Sequence, residues 1–375
     1  MFVLRKFQEE ALRALCEPGN VICVAPTGSG KSLIFERQMA TKGLRSLLVS
    51  PLTALARQQA ARLGAVGINV CLGAGGAGGG GGVTPDENTQ AWIISPEMLQ
   101  YGTYETALRK WRPEFLVVDE CHSLWEWGDG FRPAFLDLPE LVSKHSISRS
   151  LWLTATLPRE ARLNLLARLP EPVNEIGEFG LPPELMIDCL HTPWPVRAEA
   201  LYRTLKNSDG SGIVFAPTRA MTSRIGAIAR AAGKSFVVYH AGMSTEERRA
   251  IETIVAHNKC DVVIATSAFG MGMDYEHLGW TVIWQAPHSM LSLAQYIGRA
   301  GRRGGGRATI FWDHEDFRLS DWVVAGSERK RRELGYVMDF FGRGTCRRAG
   351  IIMYFTGAPA ACCGNLCDFC MSINC

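Results

Sequence analysis

Long apolar runs are missing from this sequence. No window approaches eighteen consecutive apolar residues, so there is no candidate membrane-spanning helix. The N-terminus, MFVLRKFQEE, lacks the extended apolar core of a signal peptide. An excess of one charge is missing too. Forty Lys and Arg stand against 37 Asp and Glu, a formal net charge of +3, so any basic footprint for a polyanion must be local. No short-period repeat is present. These absences predict a soluble, intracellular protein with no membrane partner, in the nucleus or in nucleoid and cytoplasm depending on source.

What is there is a chain of 375 residues, 47% hydrophobic, enough for two or three domains with substantial cores. Short apolar runs alternate with amphipathic stretches. Val21–Ala25, Ser46–Ser50, Ala91–Ser95, Phe115–Val118 and Ser150–Thr154 read as buried strands, with helices such as Leu52–Leu63 and Arg159–Leu169 between or after them. The pattern weakens through the Pro/Gly-rich stretch near 170–185, which reads as a linker. A second series follows: Gly212–Ala216, Ser235–Tyr239, Asp261–Ala265, Thr281–Trp284 and Ala308–Trp312. Such alternation is the mark of α/β halves with parallel sheets. The expected division is 1–178, 179–325 and a cysteine-rich tail at 326–375. The run GAGGAGGGGG (73–82) reads as a flexible surface loop. Cysteine is plentiful, at twelve. Those from Cys16 to Cys260 are scattered singly and read as small buried hydrophobes; the rest crowd between Cys346 and Cys375.

The stretch APTGSGKS (25–32) follows the first strand and precedes a helix, the context of a phosphate-binding loop. It fits GxxxxGK[ST] with Ala25 in place of the first glycine. Thr27, Gly28, Ser29 and Gly30 would turn backbone N–H groups onto phosphate oxygens. Lys31 would reach the outer phosphates and the Ser32 hydroxyl would ligate Mg²⁺. Asp119 and Glu120 end the Phe115–Val118 strand, expected to neighbour the first. Asp119 would hold Mg²⁺ and Glu120 would orient or deprotonate the attacking water. Arg299 and Arg302, three residues apart, suit stabilisation of charge on a transferring phosphoryl group, with Arg303 and Arg307 reading as a solvated basic face. In the tail, Cys346, Cys363, Cys367 and Cys370 offer four thiolates for a closed zinc site; adjacent Cys362 can substitute for Cys363.

With these elements in order, the chain resembles superfamily 2 helicases and, within them, the RecQ family. LRKFQ (4–8), VSPLTALARQQ (49–59), ISPEML (94–99), LTATLP (153–158), ATSAFGMGMD (265–274) and QYIGRAGRRG (295–304) match its motifs in sequence. The resemblance implies two tandem RecA-like domains with a small helical zinc-binding module, binding ATP between them and single-stranded DNA across the top. It places Arg5 and Gln8 at the nucleotide, with Gln8 on the adenine edge, and has Asp274 couple the second half to the nucleotide. It also implies an aromatic-rich loop directly after the acidic pair, where Trp127, Phe131 and Arg132 fall on the matching positions. A base stacked on an aromatic face gains about 1–3 kcal/mol whatever its identity, so such a loop can report DNA occupancy to the adjoining carboxylates. Gly128 and Gly130 favour a loop there; the alternative is that Trp125 and Trp127 are both core residues. Asp129 and Gly130 depart from the family's usual histidine and aspartate. His240, in YHAGM, matches a family position and equally suits a satisfied structural histidine. The zinc pattern departs through Leu366, which widens the Cys363–Cys367 spacing.

The activity implied is ATP- and Mg²⁺-dependent unwinding of DNA with 3′-to-5′ translocation. A DNA-stimulated ATPase that translocates or remodels without separating strands is the alternative in the same chemistry. A non-hydrolysing nucleic-acid-binding module is the alternative of another class, and Lys31, Asp119, Glu120 and Arg302 stand against it. The expected partners are single-stranded and tailed or forked duplex DNA. The chain's end five residues past Cys370 leaves no room for the winged-helix domain common in the family. Weak autonomous unwinding is therefore expected, unless a protein partner supplies duplex binding.

Overall fold

The structure is a computed structural model that describes residues 3–41, 43–73, 83–127, 133–269, 275–301 and 304–373, with the backbone alone at 54, 127, 133 and 322. The chain divides into two compact units, Met1–Gly180 and Leu181–Cys375.

The first unit contains strands β1 Gly19–Val24, β2 Ser46–Val49, β3 Val70–Leu72, β4 Ala91–Ile94, β5 Phe115–Val118, β6 Arg149–Thr154 and β7 Val173–Ile176. They form one sheet in the order β3-β4-β2-β5-β6-β1-β7, every pairing parallel. Helices cover both faces of such a sheet, so its inner strands read as continuous apolar runs instead of alternating ones. FLVV of β5 and SLLV of β2 are buried at every position. One core cluster joins Val21, Cys23, Leu48, Ile93, Val117, Leu151 and Leu153 to Phe35 and Met39 of helix Ser32–Met39 and Leu63 of helix Thr53–Ala65.

In the second unit, strands β8 Leu185–His191, β9 Ser211–Phe215, β10 Phe236–Tyr239, β11 Val262–Ala265, β12 Leu278–Ile283 and β13 Gly306–Trp312 form a parallel sheet ordered β10-β11-β9-β12-β13-β8. Side-chain caps define its helix starts: Thr218 accepts from Met221 N–H, and Ser244 forms a reciprocal box with Glu247. The cysteine-rich tail lies on the edge strand β8. Ile187 N–H donates to the Leu366 carbonyl, and Arg348 donates to the carbonyls of Leu185 and Pro182.

The structure differs from the sequence reading at several points. Strands β3, β7 and β8 were not expected. The proposed linker is structured in part, because Val173–Ile176 pairs with β1. The acidic strand is not beside β1: β6 lies between them, which brings Thr154 to the same rim.

Candidate active site

In an open parallel sheet the loops leaving the carboxyl ends of adjacent strands share one rim, where ligands bind. In the first unit β5, β6 and β1 are consecutive. Their exits carry Asp119 and Glu120, Thr154, and the loop Ala25–Ser32.

The loop turns through Gly28 (φ 74°) and Gly30 (φ 80°), left-handed conformations that favour glycine. A Cβ on Gly30 would also lie 2.9 Å from Gln8 Nε2. That contact exists because Gln8, only 4% exposed, is wired to the loop. Its Oε1 accepts from Arg5 N–H at 2.8 Å and its Nε2 donates to the Gly30 carbonyl at 2.8 Å. Gln8 thus braces the loop through its amide, while Arg5 is exposed. Lys31 Nζ donates to the carbonyls of Ala25 (2.8 Å) and Pro26 (3.0 Å), so the ammonium folds across its own loop. Ser32 opens helix Ser32–Met39. Ser29 Oγ is buried with no hydrogen-bond partner among the described residues.

Asp119 is locked from both sides. Its Oδ1 accepts from Glu120 N–H at 3.0 Å, and its Oδ2 accepts from Gln59 Nε2 at 2.6 Å. Burial raises its pKa to about 7, Glu120's charge adds to the rise, and Lys31 with both hydrogen bonds opposes it. Glu120 adopts the left-handed φ of 51°, uncommon for a residue with a Cβ. Its position is tied to β6: Cys121 N–H donates to the Leu153 carbonyl at 2.8 Å. His122, 2% exposed, places Nδ1 2.8 Å from Thr154 Oγ1 and 3.3 Å from Glu120 Oε2. Thr154 Oγ1 in turn accepts from Thr156 N–H at 3.1 Å. His122 Nδ1 thus contacts the Glu120 carboxylate and the Thr154 hydroxyl together, and that hydroxyl is bonded into the turn after β6.

The donors fit a magnesium-bound triphosphate. Carboxylate and hydroxyl oxygens are the hard ligands that Mg²⁺ takes. A cation would favour joint ionisation of two adjacent carboxyls, one with a raised pKa, and the orphaned oxygens of Ser29 and Gln59 have acceptor capacity to spare. Ser32 and Asp119 would hold the ion, which would neutralise charge on the phosphates.

In the second unit Arg299 is half-buried just beyond helix Met290–Ile297. Its charge acts on the Tyr275 phenol, whose pKa burial raises and Arg299 partly lowers. Arg302 and Asp274 lie outside the described residues, as do Phe131, Arg132 and Gly128–Gly130. The segment after the acidic pair begins as a short helix, Ser123–Trp127, where a loop was expected. Trp127 ends it, with its side chain outside the description. His240 Nδ1 is buried without a hydrogen-bond partner among the described residues, so its ring is not fully satisfied structurally.

Cys346, Cys363, Cys367 and Cys370 place their Sγ atoms within 4.8 Å of one another. Tetrahedral zinc with bonds of about 2.3 Å needs sulfurs roughly 3.8 Å apart, so the set fits with small adjustments. Cys346 caps helix Arg347–Thr356, its Sγ accepting from Ala349 N–H. Cys363 belongs to this cluster, and exposed Cys362 is not among its members. Burial raises the Cys363 and Cys370 thiols, the latter to about 11. At Cys346 burial acts the same way, but the Ala349 amide and neighbouring thiols outweigh it and lower its pKa.

Gln59, His122 and Thr154 were not singled out from the sequence. Gln59 closes the VSPLTALARQQ motif and Thr154 sits inside LTATLP, so the motifs held the signal without saying which atoms meet.

The family model for the DEAD/DEAH box helicase matches residues 5–163, and that for the helicase conserved C-terminal domain matches 196–304. Among curated relatives, the ATP-dependent DNA helicase RecQ of Pasteurella multocida is 29% identical over 98% of this chain and 60% of its own length. The Haemophilus influenzae RecQ is 28% identical over 98% of this chain and 61% of its own. The chain therefore spans about 60% of the length of these relatives. Saccharomyces cerevisiae Dbp5 bound to RNA and ADP BeF3 shares the fold, with a TM-score of 0.66 at 18% identity over 90% of this chain and 87% of that one. No helix among the described residues is long and apolar enough to cross a membrane.

Proposed function

We propose that this chain, a member of the RecQ helicase family, hydrolyses ATP to move 3′-to-5′ along single-stranded DNA and part a duplex ahead of it. The carrying observation is that His122 Nδ1 contacts both the Glu120 carboxylate and the Thr154 hydroxyl beside a phosphate loop. These contacts tie the hydrolytic carboxylate to the turn after a neighbouring strand, as a motor needs if nucleotide state is to reach the rest of its domain.

In this reading the phosphates of ATP take over the Lys31 ammonium from the carbonyls of Ala25 and Pro26. Thr27, Gly28, Ser29 and Gly30 supply backbone donors. Bound through Ser32 and Asp119, Mg²⁺ supplies charge neutralisation for the transferring phosphoryl group. Glu120 orients the attacking water and accepts its proton. Arg299 and Arg302 stabilise the charge that develops, a role worth about 10³–10⁵ in rate where an arginine performs it, and Asp274 serves the same nucleotide. Trp127, Phe131 and Arg132 contact the DNA strand. The four clustered cysteines hold zinc as a structural ion, with Cys346, Cys363, Cys367 and Cys370 as ligands. Strand displacement on 3′-tailed, 5′-tailed and forked duplexes tests the reading. Displacement confined to substrates with a 3′ tail is expected; an exclusive preference for 5′ tails would overturn the assigned direction.

A further inference from the structure

Gln59 lies on helix Thr53–Ala65 and is 4% exposed. One end of its amide has a partner: Nε2 donates to Asp119 Oδ2 at 2.6 Å. The other end does not, since Oε1 is buried with no hydrogen-bond partner among the described residues. Leaving a buried carbonyl oxygen unsatisfied is costly, so such groups find a protein atom or an ordered water. The acidic partner fixes which end of the amide is which, because a carboxylate accepts and only the NH₂ can donate. The bare acceptor therefore sits beside the carboxylate that the proposed function assigns to Mg²⁺. Magnesium keeps most of its water shell, and each bound water is a strong donor.

We infer that Gln59 is a positioning residue of the magnesium site: Nε2 holds the Asp119 carboxylate in place and Oε1 accepts a hydrogen bond from water bound to the ion. The inference rests on the ATP-site reading above. It makes the helix Thr53–Ala65, which carries most of the VSPLTALARQQ motif, a direct support of the metal-holding carboxylate.

The test is ADP affinity with Mg²⁺ and with chelator, read by a fluorescent ADP analogue and supported by Mn²⁺ resonance titration of the ADP-bound protein. Gln59→Met preserves length and volume but removes donor and acceptor. Its metal-free ADP affinity should stay within about twofold, while the affinity gained on adding Mg²⁺ should fall about tenfold, and Mn²⁺ should bind correspondingly weaker. A gain unchanged in Gln59→Met overturns the inference, as does a parallel loss of metal-free and metal-bound affinity. Should the wild-type protein bind no ADP under either condition, the ATP-site reading itself has failed. Tight, Mg²⁺-enhanced binding indifferent to residue 59 would sink only the role of Gln59.

Discussion

Replacing Thr154 by valine removes one buried hydroxyl and almost no volume. Thr154 is fully buried and serves three contacts: His122 Nδ1 at 2.8 Å, Thr156 N–H at 3.1 Å and the Thr156 carbonyl at 3.3 Å. Valine leaves the Thr156 amide without that acceptor in a nearly closed site and takes the hydroxyl partner from His122. A buried group stripped of its partner costs about 1–3 kcal/mol. For a unit of this size that corresponds to a fall of about 2–12 °C in its unfolding midpoint. The functional effect should be distinct from the stability effect. With the Thr154 hydroxyl gone His122 loses its 2.8 Å partner, and the contact it makes with Glu120, already held at an uncommon backbone angle, is less well oriented. A misplaced general base lowers kcat about tenfold or more with KM for ATP nearly unchanged, because the phosphate loop is untouched. Steady-state ATPase well below the unfolding midpoint, with Thr154→Ser as the hydroxyl-retaining control, measures this. If kcat survives while the midpoint drops, or if KM alone changes, the contacts of His122 with Thr154 and Glu120 have no catalytic role.

Lys31→Ala should abolish ATP hydrolysis while single-strand affinity stays within about threefold, since DNA binding draws on phosphate contacts elsewhere; equal loss of both in a folded protein contradicts the assignment. Trp127→Ala should keep basal ATPase and lose much of its stimulation by DNA, with strand affinity falling about 5- to 150-fold, the equivalent of one stacking contact. Early melting with loss of all activity would instead make Trp127 a core residue. Cys363→Ser, Cys367→Ser or Cys370→Ser should release zinc and lower the unfolding midpoint, whereas Cys362→Ser should do neither. Metal analysis of the purified variants decides, and full zinc in the first three refutes the ligand set.

The buried runs were legible because parallel strands covered on both faces are apolar throughout: FLVV and VVIA have nothing else to be. Strand β7, VNEI, was hidden because it pairs only with β1 and leaves Asn174 and Glu175 exposed, so its composition is that of a loop. Strand β8 begins at Leu185, separated by one residue from the pair Pro182 and Pro183, and the prolines extended the apparent linker over its start. Chemistry carried by spacing along the chain could be read directly, as in APTGSGKS or the paired acids. Chemistry made by strand order could not. Gln59 meets Asp119 and His122 meets Thr154 only because β2, β5 and β6 lie side by side. That Cys363 and not Cys362 joins the cysteine cluster likewise needed the backbone, since neighbouring residues in a chain point different ways.

The most direct test of the proposed ATP-driven motor is ATP turnover by the wild-type chain and by Glu120→Gln, each with and without single-stranded DNA, at a fixed salt concentration. Glu120→Gln keeps the shape of the side chain and removes its capacity to accept a proton. Wild-type turnover should rise steeply with the strand present, and the variant should bind ATP and DNA normally yet turn over at least about 100-fold more slowly in both conditions. Turnover that ignores DNA, or a Glu120→Gln protein as active as the wild type, would contradict the account.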